Sequence, residues 1–173
     1  MISDNDKSFI QHCGQMGSLW GFNKTIGQIY ALLFIHESPL CAEQIADILT
    51  ISRSNVCMSL KELQSWRLLI CENKPGDRRD YFTTLQDIWD ILRTIAYERK
   101  RRESDPTLSH LRSLLLNDES SSYAHKRMQD MHDLIETLTH CYASVDQLSK
   151  KDLMRLLSMG QKASKLLAFV KRS

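Results

Sequence analysis

The chain has 173 residues, of which 42% are hydrophobic and 25% charged, and a formal net charge of +2, which is the composition of one globular domain or a domain with an appendage. No apolar run approaches the roughly 20 residues of a membrane span, and the opening MISDNDKSF is acidic and polar where a signal peptide is basic and then apolar, so a cytoplasmic protein is expected. The five cysteines are scattered, without a C-x-x-C, and fit reduced thiols better than disulfides or a metal cluster; no metal and no cofactor is expected.

Charge is unevenly spread. Residues 1–51 hold two basic and five acidic side chains, whereas residues 52–80 hold six basic and four acidic ones. Each of the three prolines marks a boundary. Pro39 follows an apolar helix that begins near Thr25, Pro75 lies in the turn KPGDRR, and Pro106 opens a long helical tract.

Between the first two prolines the order of elements is informative. CAEQIADIL, residues 41–49, puts Ile45 and Leu49 on one face, with Glu43 and Gln44 at the positive end of the helix dipole. A short turn leads to Ser52, an N-cap, and to a second helix whose buried stripe is Val56, Leu60 and Leu63. LLICEN and RDYFTT then flank Pro-Gly-Asp as a β-hairpin. Helix, turn, helix and hairpin in this order make a winged helix. The expected fold class is therefore mainly α with a small β-hairpin wing, followed by C-terminal dimerisation helices.

The outward face of the second helix is not built for water. Ser52, Arg53, Ser54, Asn55, Met58 and Lys61 offer cations, small hydrogen-bonding groups and a soft apolar side chain, with Cys57 beside them. Those types suit the major groove, with its phosphates, base-edge donors and acceptors, and thymine methyls. The hairpin adds Lys74, Arg78 and Arg79 around its tip, suited to the adjacent minor groove or its phosphates. One of the two arginines is free to pair with Asp77 or Asp80 instead, and Arg78, nearer the tip, is the favoured DNA contact.

A further helix is expected over 84–103, started by Thr84 and Asp87, with Ile88, Leu92 and Ile95 as its stripe. The basic run 99–102 reads as a solvated helix end facing the negative pole of the dipole, with contact to a DNA backbone as the alternative. Beyond it, Ala124, Met128, Met131, Ile135, Leu138, Tyr142 and Val145 alternate in steps of four and three, an a/d seam. After a cap at Ser149 and Asp152 the pattern resumes through Leu153, Leu156, Gly160, Ala163, Leu167 and Val170. Self-association is expected through Met128, Met131, Ile135, Leu138, Tyr142, Leu156 and Leu167. The expected domains are a winged helix with N-terminal and linker helices over 1–103 and a helical dimerisation region over 104–173.

The stretch GQIYALLFI…PLCAEQIADILTISRSNVCMSLKELQSW…PGDRRDYF resembles the GbsR-type branch of the MarR-like winged-helix regulators, most strongly over residues 25–90. The resemblance implies a homodimeric repressor on an inverted-repeat operator in double-stranded DNA, released by a small molecule or another signal. Two residues depart from the family pattern. Cys41 stands where Thr often caps the first motif helix, and Arg67 where Gly often follows the second. Candidate effector contacts are the aromatic Trp20, Tyr30 and Trp89, which could surround a cation. The competing reading is a winged-helix adaptor that binds protein rather than DNA. No nucleophile-elbow, P-loop, zincin or dinucleotide motif occurs, so an enzyme is not expected.

Overall fold

The computed structural model describes residues 2–19, 21–117, 122–156 and 158–160. The chain divides into two compact units, Met1–Ile95 and Ala96–Ser173. Among the described residues, no helix is long and apolar enough to cross a membrane.

The first unit opens with α1 (Asp4–Leu19), an element without a clear apolar period, and α2 (Lys24–Ile35), capped by Asn23 Oδ1 accepting from Ile26 N–H at 2.9 Å. The two helices meet through glycines. A Cβ on Gly27 would lie 2.6 Å from the Cys13 carbonyl oxygen and 3.0 Å from Gly14 Cα, so the backbones touch where side chains would hold them apart. The short strand β1 (Leu40–Cys41) leads into α3 (Ala42–Leu49) and α4 (Arg53–Ser65), and then β2 (Leu69–Asn73) and β3 (Asp80–Thr84).

The hairpin expected from sequence is in fact a three-stranded antiparallel sheet in the order β1-β3-β2. Leu40 pairs with Phe82 and Cys41 with Tyr81, on the far edge of β3 from β2. A two-residue strand carries no periodicity, so only the pairing reveals it. As the central strand, β3 buries Tyr81, Phe82 and Thr84, while most of β2 stays exposed. The core of this unit gathers Ile29, Leu32 and Leu33 of α2, Ile45 of α3, Val56, Leu60 and Leu63 of α4, and Trp66, Leu68, Phe82 and Ile91.

Both turns of the motif use left-handed backbone at residues other than glycine. Thr50 ends α3 at φ 55° and Arg67 follows α4 at φ 55°. Arg67 N–H reaches the Gln64 carbonyl at 2.9 Å and Leu68 N–H the Leu63 carbonyl at 3.1 Å, a Schellman closure with arginine in the glycine place. Cys41 does stand at the N-cap of α3. Its backbone N–H is taken by Gln44 Oε1 at 2.9 Å, so the weak thiol acceptor is backed from the N3 position.

Helix α5 (Ile88–Arg99) departs from the sequence expectation at both ends. Thr84 is held in the sheet opposite Leu69, so Asp87 starts the helix, accepting from Trp89 N–H at 2.7 Å. Within the first unit Ile91 is buried and Ile95 packs against the core, whereas Ile88 and Leu92 are exposed. Of the expected stripe Ile95 alone faces the core, joined by Ile91 in place of Ile88 and Leu92.

At the other end the helix does not stop at the basic run. In the second unit it passes through a π-helical turn, Lys100–Ser104, into α6 (Asp105–Asn117). Pro106 cannot donate to the preceding turn, and the wider π geometry absorbs the missing bond. The cations of the run meet carboxylates instead of open solvent. Arg101 and Arg102 both reach Glu98, at 2.7 and 3.3 Å, Arg99 reaches Glu103 at 3.0 Å, and Lys100 reaches Asp105 at 2.8 Å. Glu98 is fully buried; its carboxyl is pushed up by desolvation, but the two guanidiniums outweigh this and hold it below its ordinary value.

Helix α7 (Tyr123–Asp146) packs on α6, where Leu108 and Leu111 are buried. Helical turns resume at 150 after Ser149, whose hydroxyl accepts from Asp152 N–H at 3.2 Å, as its sequence predicts.

Three substitutions test this packing by denaturant unfolding. Gly27→Ala should cost about 1–3 kcal/mol in denaturant unfolding, because backbone atoms of α1 must give way. The same change at Gly160, with open space around its would-be Cβ, should be neutral or slightly stabilising. Arg67→Gly should raise stability by about 1 kcal/mol by removing the left-handed penalty.

Candidate nucleic-acid interface

Helix α4 owes its orientation to its inner stripe. Val56, Ser59, Leu60 and Leu63 are buried, and this turns Arg53, Ser54, Met58 and Lys61 outward. Ser52 caps the helix, its Oγ accepting from Asn55 N–H at 3.3 Å, and Asn55 itself is half-buried. Met58 is 62% exposed, an apolar side chain that gains nothing from water.

The wing turn is tight because Pro75 and Gly76 make it so. Asp77 N–H bonds the Lys74 carbonyl at 3.0 Å, and Gly76 takes φ 82°. The wing cations are then allocated differently. Arg79 is locked to Asp77, with Nε 3.0 Å from each carboxylate oxygen, and Tyr81 Oη donates to the same carboxylate at 2.8 Å. These hydrogen bonds, from Arg79 first and then Tyr81, hold the Asp77 carboxyl well below the usual carboxylate range. Arg79 Nη1 also points at Cys41 Sγ, 3.9 Å away. Lys74 lies over the Tyr81 ring, 3.9 Å from its centroid. Arg78 is exposed and makes no ion pair among the described residues. Sequence reasoning left open which arginine Asp77 takes; it takes Arg79.

Between α4 and the wing runs a groove of about 280 Å³, lined among others by Glu43, Arg53, Cys57, Lys61, Arg78 and Arg79. Glu43 is the residue that sequence reasoning passed over. Its Oε1 lies 2.8 Å from Arg53 Nη2, which ties the first turn of α3 to the first turn of α4. The first-turn position of Glu43 was visible in the sequence; its approach to Arg53 depends on how the two helices cross.

The other candidate residues fall into two groups. On α7 the seam divides: Met131 and Leu138 are exposed, joined by Leu134, which the seam did not include, while Met128, Ile135 and Tyr142 are half-buried. Ile135, Leu138 and Tyr142 also line a groove of about 450 Å³ with Ala96, Arg99 and Lys100 of the same unit. Leu156 is exposed; Leu167 lies outside the described residues. Of the aromatic trio, Trp20 lies outside the described residues. Tyr30 stacks on Phe34 with centroids 6.5 Å apart, and burial pushes its phenol up. Trp89 is half-buried in the first turn of α5. His132, Asp133 and Glu136 bring ligand atoms within 4.8 Å of one another, the one such cluster among the described residues. Arg112 already occupies that spot, 2.6 Å from Glu136 Oε1 and 3.3 Å from His132 Nε2.

A helix-turn-helix flanked by a cationic hairpin defines the winged-helix class. The chain is similar to a solved transcriptional regulator with a TM-score of 0.69 at 18% identity, over 82% of this chain and 95% of that one. It is less similar to a mutant of MepR from S. aureus bound to an oligodeoxyribonucleotide, with a TM-score of 0.40 at 14% identity, over 76% and 91% of the two chains. No curated protein matches it. Residues 20–80 match the model of the MarR family. That stretch holds the helix-turn-helix and the first strand of the wing.

The wing lock gives a pH test. A depressed folded value means that the Asp77–Arg79 pair contributes stability above the ordinary carboxyl value of 3.8 and loses it as pH falls through the lower folded value. The Arg79 Nε–H resonance in NMR should therefore hold its paired shift on acidification to pH 4, and lose it only well below 3.8.

Proposed function

We propose that the protein is a homodimeric repressor that reads an inverted-repeat operator with α4 and steadies itself with the wing. The observation that carries this reading is the outward face of α4, where Arg53, Ser54, Met58 and Lys61 stand together, with exposed Arg78 across the groove. Arg53 and Asn55 are the base readers, Met58 meets thymine methyls, and Ser52, Ser54, Lys61, Lys74 and Arg78 serve the backbone. Arg79 acts by shaping the wing, since its guanidinium is committed to Asp77.

One α4 reads only a few base pairs, so specificity in a genome calls for a second copy about one helical turn away. The exposed Met131, Leu134 and Leu138 of α7, with Leu156 beyond, offer the apolar surface for that dimer. Membership of the GbsR-type branch, a cytoplasmic location and release by a small effector belong to the same reading and rest on the sequence resemblance. For the effector, Tyr30 and Trp89 remain the candidate contacts.

Binding of a selected operator is expected to weaken with salt with a slope near −5 in log K against log salt, from about six phosphate contacts. A slope of zero would favour the adaptor reading. Arg53→Ala or Asn55→Ala should relax preference at particular bases by about 1–3 kcal/mol, while Arg78→Ala should weaken all sequences evenly. Leu138→Lys, at a position 60% exposed, should give monomers by light scattering and lose operator binding while the winged helix stays folded. A dimer with normal binding would place the dimer contact elsewhere.

A further inference from the structure

The cations facing the groove between α4 and the wing fall into two classes. Lys61 and Arg78 make no ion pair among the described residues, whereas Arg53 and Arg79 are held by carboxylates of the protein itself. The Arg79 pair closes within the wing turn. The Arg53 pair is different, because it joins two helices at the surface where DNA would lie. Glu43 is the second residue of α3 and Arg53 the first of α4, so the carboxylate stands at a helix N-terminus, the place where a phosphate would otherwise be welcome. The carboxyl is held below its ordinary value, first by backbone and Cys41 hydrogen bonding, then by Arg53 and Arg79.

We propose that Glu43 is a specificity-determining residue: it fixes the Arg53 guanidinium as a base reader and denies it to the phosphates of arbitrary DNA. This rests on the DNA-binding reading above. The chemistry is an exchange. To reach a phosphate, Arg53 must either leave one anion for another or bring a second anion against Glu43, and either way little is gained. To reach guanine O6 and N7 it need not leave, because its approach to Glu43 is through Nη2 and the guanidinium carries five N–H donors. A guanidinium already anchored at one corner also loses less freedom on binding. Random DNA is penalised and the correct base is not.

The test uses the full chain in five forms: wild type, Glu43→Gln, Glu43→Asp, Arg53→Ala and the double variant of Glu43→Gln with Arg53→Ala. Each is titrated with an operator selected from random DNA by the wild type, and with a random duplex, over a range of salt. Glu43→Gln should bind the random duplex about tenfold tighter, with a salt slope steeper by about one per protomer, and should gain less on the operator. In the Arg53→Ala background the same change should leave base preference unaltered. Glu43→Asp keeps the charge but withdraws the carboxylate by one methylene; it should keep weak random binding and still lose preference at the base that Arg53 reads. Equal shifts on operator and random DNA in both backgrounds would overturn the inference while leaving DNA binding intact. A wild type that selects no sequence would overturn the DNA-binding reading instead.

Discussion

Burial of Val56, Leu60 and Leu63 is the constraint on which the rest of the first unit depends. These side chains pack with Ile29, Leu32 and Leu33 of α2 and Ile45 of α3, and together they leave α4 one rotation about its axis. At about 25 cal/mol per Å² of apolar surface, turning that stripe toward water costs several kcal/mol, more than any surface contact on the opposite face can return. The direction in which Arg53, Ser54, Met58 and Lys61 point is thus a consequence of the core. The proposed DNA-reading face is the one that the core does not use.

Once α4 is fixed, electrostatics sorts the cations. Sequence counts them as equivalent, but the structure does not. Arg79 and Arg53 have carboxylate partners, Lys74 covers an aromatic ring, and the run at 99–102 is consumed by Glu98, Glu103 and Asp105. Lys61 and Arg78 are the groove cations without an ion pair among the described residues. A basic stretch is therefore a poor measure of DNA-facing charge until its partners are known. Strain is also distributed around the motif, with Thr50 and Arg67 both left-handed at the ends of its two helices. A β-branched or long side chain tolerates that backbone only where surrounding packing fixes the turn.

The second unit shows what periodicity alone does not resolve. Its seam was expected to be a single face, but Ile135 and Tyr142 are half-buried inside the unit whereas Met131, Leu134 and Leu138 are exposed. A helix of this length has room for two apolar stripes, one for its own hairpin partner and one for another surface, and a heptad pattern blends them. The π-helical turn had no sequence signature beyond Pro106 after a charged run, which reads equally well as a helix end.

By itself the sequence determined the order of helices and hairpin from residue 24 to the wing, the caps at Ser52 and Ser149, the buried stripe of α4 and the composition of its outer face. Each of these is local: it depends on periodicity, a capping side chain or a turn residue within a few positions. Only the tertiary structure decided what depends on residues far apart in the chain. It set the glycine contact of α1 with α2, the strand Leu40–Cys41 on the edge of β3 and the division of the α7 seam. It also brought Glu43 to Arg53, ten positions on. That pair exists because the turn at Thr50 folds α4 back across α3, and no local pattern encodes the angle at which two helices cross.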